Sequence, residues 1–228
     1  MIALKGMTWD HPRGFDPMVA TSESFKKKHN NFISIAWDKR PLQAFADRPI
    51  EQMTEDYDLI VIDYPHLGEV AANGLLDYFD KPQYLDQLSK LKKESVGNSH
   101  QSYFVDDHQW ALAIDAATQV SVFRKDLINF LPSSWNELVE LAKNNKILWP
   151  LKPIHAISSF YSICNNIDKP FNPDLKEFIN KKTTIRTLMM MKEIVKYLPN
   201  ECLQMDPIQA CEYMAENNDI FYCPYIYG

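Results

Sequence analysis

The stretch 4–14 contains the side chains of this sequence that are best suited to chemistry. An apolar run leads into a loop that holds Trp9, Asp10, His11 and Arg13. An aromatic ring can cover an apolar face of a ligand, while carboxylate, imidazole and guanidinium groups bond its polar atoms. In open α/β sheets, ligands bind outside the carboxyl ends of strands, where a loop after a first strand lies. We therefore predict that this loop belongs to a site for a polar ligand.

Three places in the sequence put a carboxylate beside an imidazole and raise the alternative of a metal centre. They are Asp10-His11, Asp63 with His66, and Asp106-Asp107-His108. None has a spacing that fixes two ligands on one helix face, and both residue types are common in loops. The less favoured alternative is therefore a hydrolase whose metal site, or acid and base, would consist of Asp10, His11, Asp63 and His66.

The sequence carries no signal for covalent catalysis or for a cofactor. It has no GxSxG segment, and its six glycines form no phosphate-binding loop. Its four cysteines have no CxxC spacing, so free thiols are expected, and a disulfide between Cys202 and Cys211 would require an oxidising compartment. We predict that the protein is not an enzyme and that it has no metal and no cofactor.

Composition places the chain among ordinary globular proteins. Its 228 residues, 46% hydrophobic and 24% charged, suit one large or two small domains. The net charge of −6 argues against a nucleic-acid partner, whose binding surfaces are normally basic. No stretch approaches the roughly twenty apolar residues of a membrane span. The N-terminus also lacks the features of a signal peptide, so export is not expected from the sequence.

Apolar runs alternate with helical patterns in the first half of the chain. The alternation predicts parallel βαβ units with right-handed crossovers, so that the loops after the strands converge on one edge of a sheet. The strands are predicted at an opening segment with Ile2, Leu4 and Met7 buried, at 32–37, and at 58–62, which has the pattern of the most buried strand. Helical segments are predicted at 17–29, 41–45, 49–55, 69–73 before Gly74, and 84–91, with a loop at Asp38-Lys39-Arg40.

After residue 101 the composition changes, and the second half is mainly helical. Ser134 and Glu137 have the spacing of a capping box before a helix that runs to about Asn144. Further helices are predicted at 158–166, 183–197 and 206–217. Strands are predicted at 103–105, 110–114, 120–123, 147–151 and 219–224.

Two segments near the middle of the chain resemble a known family. The first is Trp110-Ala111-Leu112-Ala113-Ile114-Asp115 with its continuation Val120-Ser121-Val122-Phe123-Arg124-Lys125-Asp126-Leu127, and the second is Pro132-Ser133-Ser134-Trp135-Asn136-Glu137-Leu138. In order and spacing they are similar to the segments with which extracellular solute-binding proteins of ABC importers, family 1 (the carbohydrate type), cross from their first lobe into their second. The opening 6–14 and the strand 57–63 also fit the first lobe of that family.

The resemblance implies an α/β fold with two lobes, of the type II periplasmic binding protein kind, and a cleft between the lobes. The first lobe is expected at 1–108 and the second, more helical lobe at 109–228. Family members usually carry an export signal and a return crossing into the first lobe. Neither is present in this sequence, so we expect a chain that lacks the C-terminal portion of the family.

The resemblance also implies a function. The protein is expected to be the solute-binding component of an ABC-type importer, to close by a hinge around a small polar solute with a carbohydrate favoured, and to deliver that solute to an ABC permease. Its expected location is periplasmic or extracytoplasmic. Because an export signal is missing, a cytoplasmic ligand sensor on the same scaffold stays open as an alternative.

Sugar recognition requires flat aromatic faces together with carboxylates, amides or guanidinium groups that bond hydroxyls. The predicted ligand-binding residues are Trp9, Asp10, Arg13, Trp37, Asp63, Tyr64, His66, Asp115 and Thr118, with Asp38 and Arg40 also available. Several of them have structural explanations as well. Trp9 and Trp37 suit core positions, Arg13 a solvated loop, Arg40 an ion pair, and Asp63 a helix cap.

Overall fold

The computed structural model describes residues 1–41, 49–168 and 178–227. The chain divides into two compact units, Met1–Ala116 and Ala117–Gly228. The segment 109–116, expected at the start of a second lobe, groups with the first unit because Trp110 is buried in that unit's core. That the two units correspond to two lobes of a binding protein stays a prediction.

A three-stranded parallel sheet forms the centre of the first unit. Strand β1 (Ile2–Trp9) lies between β2 (Ile33–Arg40) and β3 (Leu59–Ile60). β1 pairs with β2 along its whole length, from Ile2 opposite Ile33 to Trp9 opposite Arg40. The predicted α/β class and the parallel direction of these strands are confirmed. Because the strands are parallel, the segments that follow β1 and β3 leave the sheet at the same edge.

Three predictions about this sheet were wrong. The segment Asp38-Lys39-Arg40 belongs to β2 because it pairs with residues 7–9 of β1. Strand β3 is a short strand at the edge of the sheet, since among the described residues it pairs with Gly6 and Met7 of β1 alone. Ile2 is exposed, because the buried part of β1 is its segment 6–8.

Helix α1 (Pro12–Lys28) begins five residues before the predicted start at Pro17. Its N-cap is His11, whose backbone is extended and whose Nδ1 accepts a hydrogen bond from the Arg13 N–H at 3.2 Å. Pro12 suits the first helical position, where no N–H is required. Pro17 lies inside the helix, where it has no N–H to donate to the carbonyl of Arg13.

The other α-helices that the structure describes in the first unit are short. They are α2 (Ile50–Thr54), α3 (Leu67–Asn73) and α4 (Leu85–Glu94). Gly74 ends α3 in the left-handed conformation, with φ of 59°, as its position predicted. Most of the predicted turn at 41–45 lies outside the described residues. The core of this unit consists of Met7, Ile50, Met53, Leu67, Val70 and Trp110.

A small hairpin follows, formed by β4 (Phe104–Val105) and β5 (His108–Gln109). Its two turn residues, Asp106 and Asp107, both have positive φ, of 51° and 65°, as a type I′ turn requires. The segment 110–114 is not a strand. Trp110 is instead buried and donates its indole N–H to the carbonyl of Val105 at 3.0 Å. The side chain of Trp110 therefore packs in the core of the unit and does not belong to a sheet.

In the second unit, β6 (Gln119–Phe123) pairs with β7 (Tyr222–Tyr227) in an antiparallel ladder. The helices described there are α5 (Trp135–Lys143), α6 (Pro153–Ile167), α7 (Lys181–Val195) and α8 (Pro207–Glu216). Of the predicted strand at 147–151, only Ile147 makes a bridge, to Tyr222. The predicted strand at 219–224 starts later, at Tyr222, because only residues from there onward pair with β6.

Local capping residues fix several helix starts in the second unit. Ser134 caps α5 as predicted, since its Oγ accepts from the N–H of Glu137. The Glu137 carboxylate reaches one residue further back than a capping box requires, and accepts from the Ser133 N–H at 2.7 Å. A complete capping box occurs at α8, between Asp206 and Gln209.

The core of the second unit is built around Trp149, which is fully buried and donates its indole N–H to Ser159 Oγ at 3.0 Å. All four cysteines are free thiols, including the Cys202 and Cys211 pair considered from the sequence. Among the described residues, no helix has the length and apolar character needed to cross a membrane.

We predict that Gly6→Ala destabilises the protein by roughly 1–3 kcal/mol, because overpacking forces rigid groups apart. A Cβ at Gly6 would lie 2.5 Å from the Trp37 ring, which closes over this point of β1. The matched control is Gly68→Ala in α3, where a Cβ would meet nothing within 4 Å. Urea denaturation should show a lower midpoint for the first variant only. Equal midpoints for the two variants would rule out this packing argument.

A second prediction concerns Asp80, which ties the hairpin to the preceding loop. Its carboxylate accepts from His108 Nδ1 at 2.9 Å and from the Gln109 N–H at 2.8 Å. Burial opposes its charge, but these two hydrogen bonds prevail and hold the pKa of Asp80 below 3.8. A lowered carboxyl pKa contributes stability that is present above the unfolded-state value and is lost as the pH falls through the folded-state value.

Asp80→Asn should therefore lower the free energy of unfolding by about 1 kcal/mol or more at pH 7, as expected for a charge-assisted hydrogen bond. The difference from the unmodified protein should shrink as the pH falls below 3.8. Denaturation curves at a series of pH values measure it. A difference that is independent of pH would show that the charge of Asp80 has no part in the effect.

Candidate ligand site at the carboxyl ends of β1 and β3

The segment after β1 places Trp9 and Asp10 at the end of the sheet. Trp9 is half-buried, and its ring lies so close to Gly14 of α1 that a Cβ there would be 2.3 Å away. Asp10 is exposed, its N–H donates to the carbonyl of Arg40 at 2.8 Å, and its carboxylate pairs with Lys39 at 2.6 Å. Trp9 is therefore not enclosed in the core. Only part of its ring is open to a ligand, because one face packs on α1.

Arg13, in the first turn of α1, forms the ion pair that links this loop to the end of the first unit. Its Nε lies 2.8 Å from Asp115 Oδ2, and both side chains are partly exposed. Asp115 also accepts from the N–H of Ala116 at 2.9 Å. The pair holds a guanidinium and a carboxylate side by side, which is an arrangement suited to neighbouring hydroxyl groups of a ligand.

The segment after β3 supplies a second group of polar residues. Asp63 precedes a 3-10 turn, Tyr64–His66, and makes no side-chain capping hydrogen bond to it. Desolvation raises the pKa of Asp63, and the nearby His66 opposes that rise. The helix-cap explanation for Asp63 is thus not realised. Protein atoms exclude part of the solvent from its carboxylate, although the residue as a whole is exposed.

Tyr103 brings these segments together and was missed from the sequence. Its ring meets that of Tyr64 edge to face, with centroids 6.2 Å apart. Desolvation raises the pKa of Tyr103, and the carboxylates of Asp63 and Asp115 raise it further. The phenol therefore lies within electrostatic reach of acidic groups that are far apart in sequence. No motif marks Tyr103, which ends a 3-10 turn (Gln101–Tyr103) just before the hairpin.

Three candidates next to this group have structural contacts of their own. Trp37 is half-buried over Gly6 and donates its indole N–H to Ser22 of α1 at 2.7 Å. Asp38 accepts from the Tyr57 hydroxyl at 3.0 Å. Arg40 is buried in the first unit. The packing explanation considered for Trp37 from the sequence describes its contacts better than a ligand role does.

Thr118 is exposed in the second unit, beside a polar network that is internal to that unit. The side-chain amide of Gln119 donates to Ser159 at 3.2 Å and accepts from Ser162 at 2.6 Å. These bonds hold β6 against α6. They do not involve Thr118, whose ligand role stays a prediction.

Two of the three carboxylate–imidazole pairs are divided between other partners, whereas Asp63 and His66 lie within electrostatic reach of each other. His11 caps α1 while Asp10 pairs with Lys39, and His108 contacts Asp80. Asp106 and Asp107 form the hairpin turn. Within the described ranges, no three His, Cys, Asp or Glu side chains are grouped so as to hold a metal ion.

No protein-family model matches the sequence, and no curated protein matches it. Among solved structures, the chain is similar to maltose-bound MalE3 of T. maritima, with 14% identity and a TM-score of 0.76, covering 100% of this chain and 61% of that one. It is also similar to an ABC transporter solute-binding protein from Agrobacterium radiobacter K84 in complex with ribitol, with 18% identity, a TM-score of 0.73, and 99% and 60% coverage.

A structure from the directed evolution of a de novo designed esterase is similar as well, with 14% identity, a TM-score of 0.63, and 99% and 60% coverage. At these identities the likeness concerns the fold. The chain has the α/β fold of ABC-transporter solute-binding proteins, and it spans about 60% of the length of these solved structures.

A test of the site follows from the crowded carboxylate of Asp63. Because its pKa is raised, the folded state binds a proton more readily than the unfolded state, and stability falls as the pH rises above 3.8. Asp63→Asn should therefore leave the protein slightly more stable at pH 7, by well under about 1 kcal/mol because solvent screens an exposed group. Asp16→Asn on the exposed side of α1 is the matched control. Thermal denaturation at pH 7 that shows a loss of stability in Asp63→Asn alone would contradict this view of Asp63.

Proposed function

We propose that this chain is part of a solute-binding protein of an ABC-type importer, and that it binds a small polar solute, a sugar or a polyol. One observation carries the proposal. Arg13, Asp63, Tyr64, Tyr103 and Asp115 gather near the carboxyl ends of β1 and β3, on a fold whose solved examples include a maltose complex and a ribitol complex.

The chemistry of this group suits polyhydroxyl ligands. Tyr64 is 58% exposed and leans edge-on against Tyr103, so its ring can cover the C–H face of a sugar. Asp63 offers a carboxylate whose acceptor sites are not used by a helix cap. Arg13 uses Nε toward Asp115, and the rest of its guanidinium can donate to ligand oxygens. Hydroxyl donors that reach Asp63 would replace the solvation it lacks, and we infer that they favour its charged form.

In this proposal the ligand-contacting residues are Arg13, Asp63, Tyr64, His66, Tyr103 and Asp115, with Trp9 and Asp10 at the rim. We further propose that the complete protein acts outside the cytoplasm and passes its solute to a membrane permease. The hydrolase alternative is less favoured, because His11 is used as a helix cap and Asp10 is paired with Lys39.

Binding is tested by thermal denaturation with a panel that begins with maltose and ribitol. A ligand at a hundred times its dissociation constant stabilises the folded state by about 2.7 kcal/mol, which corresponds to a shift in Tm of roughly 5–10 °C for a chain of this length. Tyr64→Ala should abolish the shift while leaving the ligand-free Tm nearly unchanged, since the ring is largely exposed.

Tyr84→Ala is the matched control, because Tyr84 is also an exposed tyrosine of a 3-10 turn that precedes a helix. It should keep the full shift. Mass spectrometry of the recovered ligand separates binding from catalysis. A chemically altered ligand, or a shift that survives Tyr64→Ala and Asp63→Asn alike, would refute the proposed site.

A further inference from the structure

Helix α7 presents an apolar stripe to solvent in the second unit. Ile185, Leu188 and Met189 are 47%, 53% and 68% exposed. Their spacing of three and four residues places them side by side on one face of the helix. Scattered apolar side chains are ordinary at a surface, but an adjacent group that charged residues surround is typical of an interaction site. We call this surface the α7 face.

Cations surround the apolar stripe. Lys181, Lys192 and Lys196 continue it toward the two ends of the helix, and Lys182 and Arg186 lie beside it. With the one acidic residue, Glu193, the segment 181–196 has a net charge of +4 in a chain whose net charge is −6. The α7 face therefore differs in sign from the protein as a whole.

None of these five cations forms an ion pair or a side-chain hydrogen bond with the residues that the structure describes. Among the described residues, Glu193, the acid on the helix, forms no ion pair with any of them. Glu140 raises the pKa of Lys143 of α5 through a hydrogen bond, and Glu193 adds to that rise. The positive charge of the α7 face is thus available to an external anion.

The inner side of α7 is firmly held, so the outer face is preformed. Thr183, Thr187 and Ile194 are buried, and Asn180 caps the first turn by accepting from the Thr183 N–H at 2.9 Å. Thr187 Oγ1 lies 3.2 Å from Cys164 Sγ of α6. A partner that binds the outer face does not have to order the helix first, which removes part of the entropic cost of binding.

We propose that the α7 face docks on an anionic membrane surface. Lysine and arginine side chains around an apolar stripe can reach phosphate headgroups with their charged ends while the stripe enters the boundary with the acyl chains. A bilayer adapts to the shape of the stripe, whereas a protein partner would need a matching groove. Pairing of α7 with α7 of a second copy would oppose two segments of charge +4.

This surface is separate in sequence from the solute site and lies in the other unit. Membrane docking goes beyond the proposed solute binding, and each can fail without the other. The solute-dependent Tm shift measured in solution reports one, and vesicle binding without solute reports the other.

The test is co-sedimentation of the whole chain with vesicles of phosphatidylglycerol and phosphatidylcholine in equal parts, and with vesicles of phosphatidylcholine alone. Binding is expected only to the anionic vesicles, and should weaken as salt shortens the range of the electrostatic attraction. The double variant Lys182→Glu with Arg186→Glu should lower affinity roughly tenfold or more, given the contribution of each basic side chain near an anionic surface.

Two matched controls distinguish binding through the α7 face from effects of net charge and of exposed apolar residues elsewhere. Lys27→Glu with Lys28→Glu makes the same charge change at the exposed end of α1 and should keep binding within about twofold, because it leaves the α7 cations in place. Leu188→Ser with Met189→Ser should weaken binding severalfold, whereas Ile154→Ser with Ile157→Ser, a similarly exposed pair on α6, should not.

Circular dichroism establishes that each variant is folded before its binding is compared. Failure to bind anionic vesicles, equal binding to neutral vesicles, or equal losses in the α1 and α7 variants would each overturn the proposal. Binding to poly-glutamate without binding to vesicles would do so too, and would assign the α7 face to an acidic protein partner.

Discussion

The packing of β2 and α1 against β1 is the constraint on which the first unit depends, and it requires two glycines. At Gly6 the ring of Trp37 lies against the backbone of β1, and at Gly14 the ring of Trp9 lies against α1. The indole N–H of Trp37 also reaches across to Ser22 of α1. Tryptophan can pack this closely on backbone only where no Cβ intervenes. The two contacts fix β1, β2 and α1 relative to one another and so place Arg13, in the first turn of α1.

The candidate site then follows from strand direction. Because β1 and β3 run parallel, the residues after them emerge at one edge, where Arg13 meets Asp115 and Tyr64 meets Tyr103. Most of these side chains are partly exposed and held by few contacts. Such residues contribute little to stability, and in the proposed function they would exchange water for a ligand. The site is therefore a local property of loops on a rigid sheet.

Features set by local sequence were predictable, and those set by distant neighbours were not. Apolar periodicity located β1, β2 and β6, Gly74 ended its helix, and Ser134 capped α5. The extension of β2 to Arg40 depends on its partner strand, so its polar residues resembled a loop. Tyr103 belongs to the candidate site because Asp63 and Asp115 lie near it in the fold. The spacing of these three residues in the sequence does not indicate that they are neighbours.

The hairpin turn has a consequence for affinity. Asp106 and Asp107 both adopt positive φ, a conformation that glycine and asparagine accept more readily than aspartate. The backbone of Tyr103 is bonded to Trp110 just beyond this hairpin. A turn of this composition is less favourable for the hairpin than an Asn-Gly turn would be. In the proposed function, any freedom that this leaves in the hairpin would have to be lost when the solute binds. If the proposed site binds a solute, substitutions at this turn would change its affinity through the order of the hairpin and without a new contact to the solute.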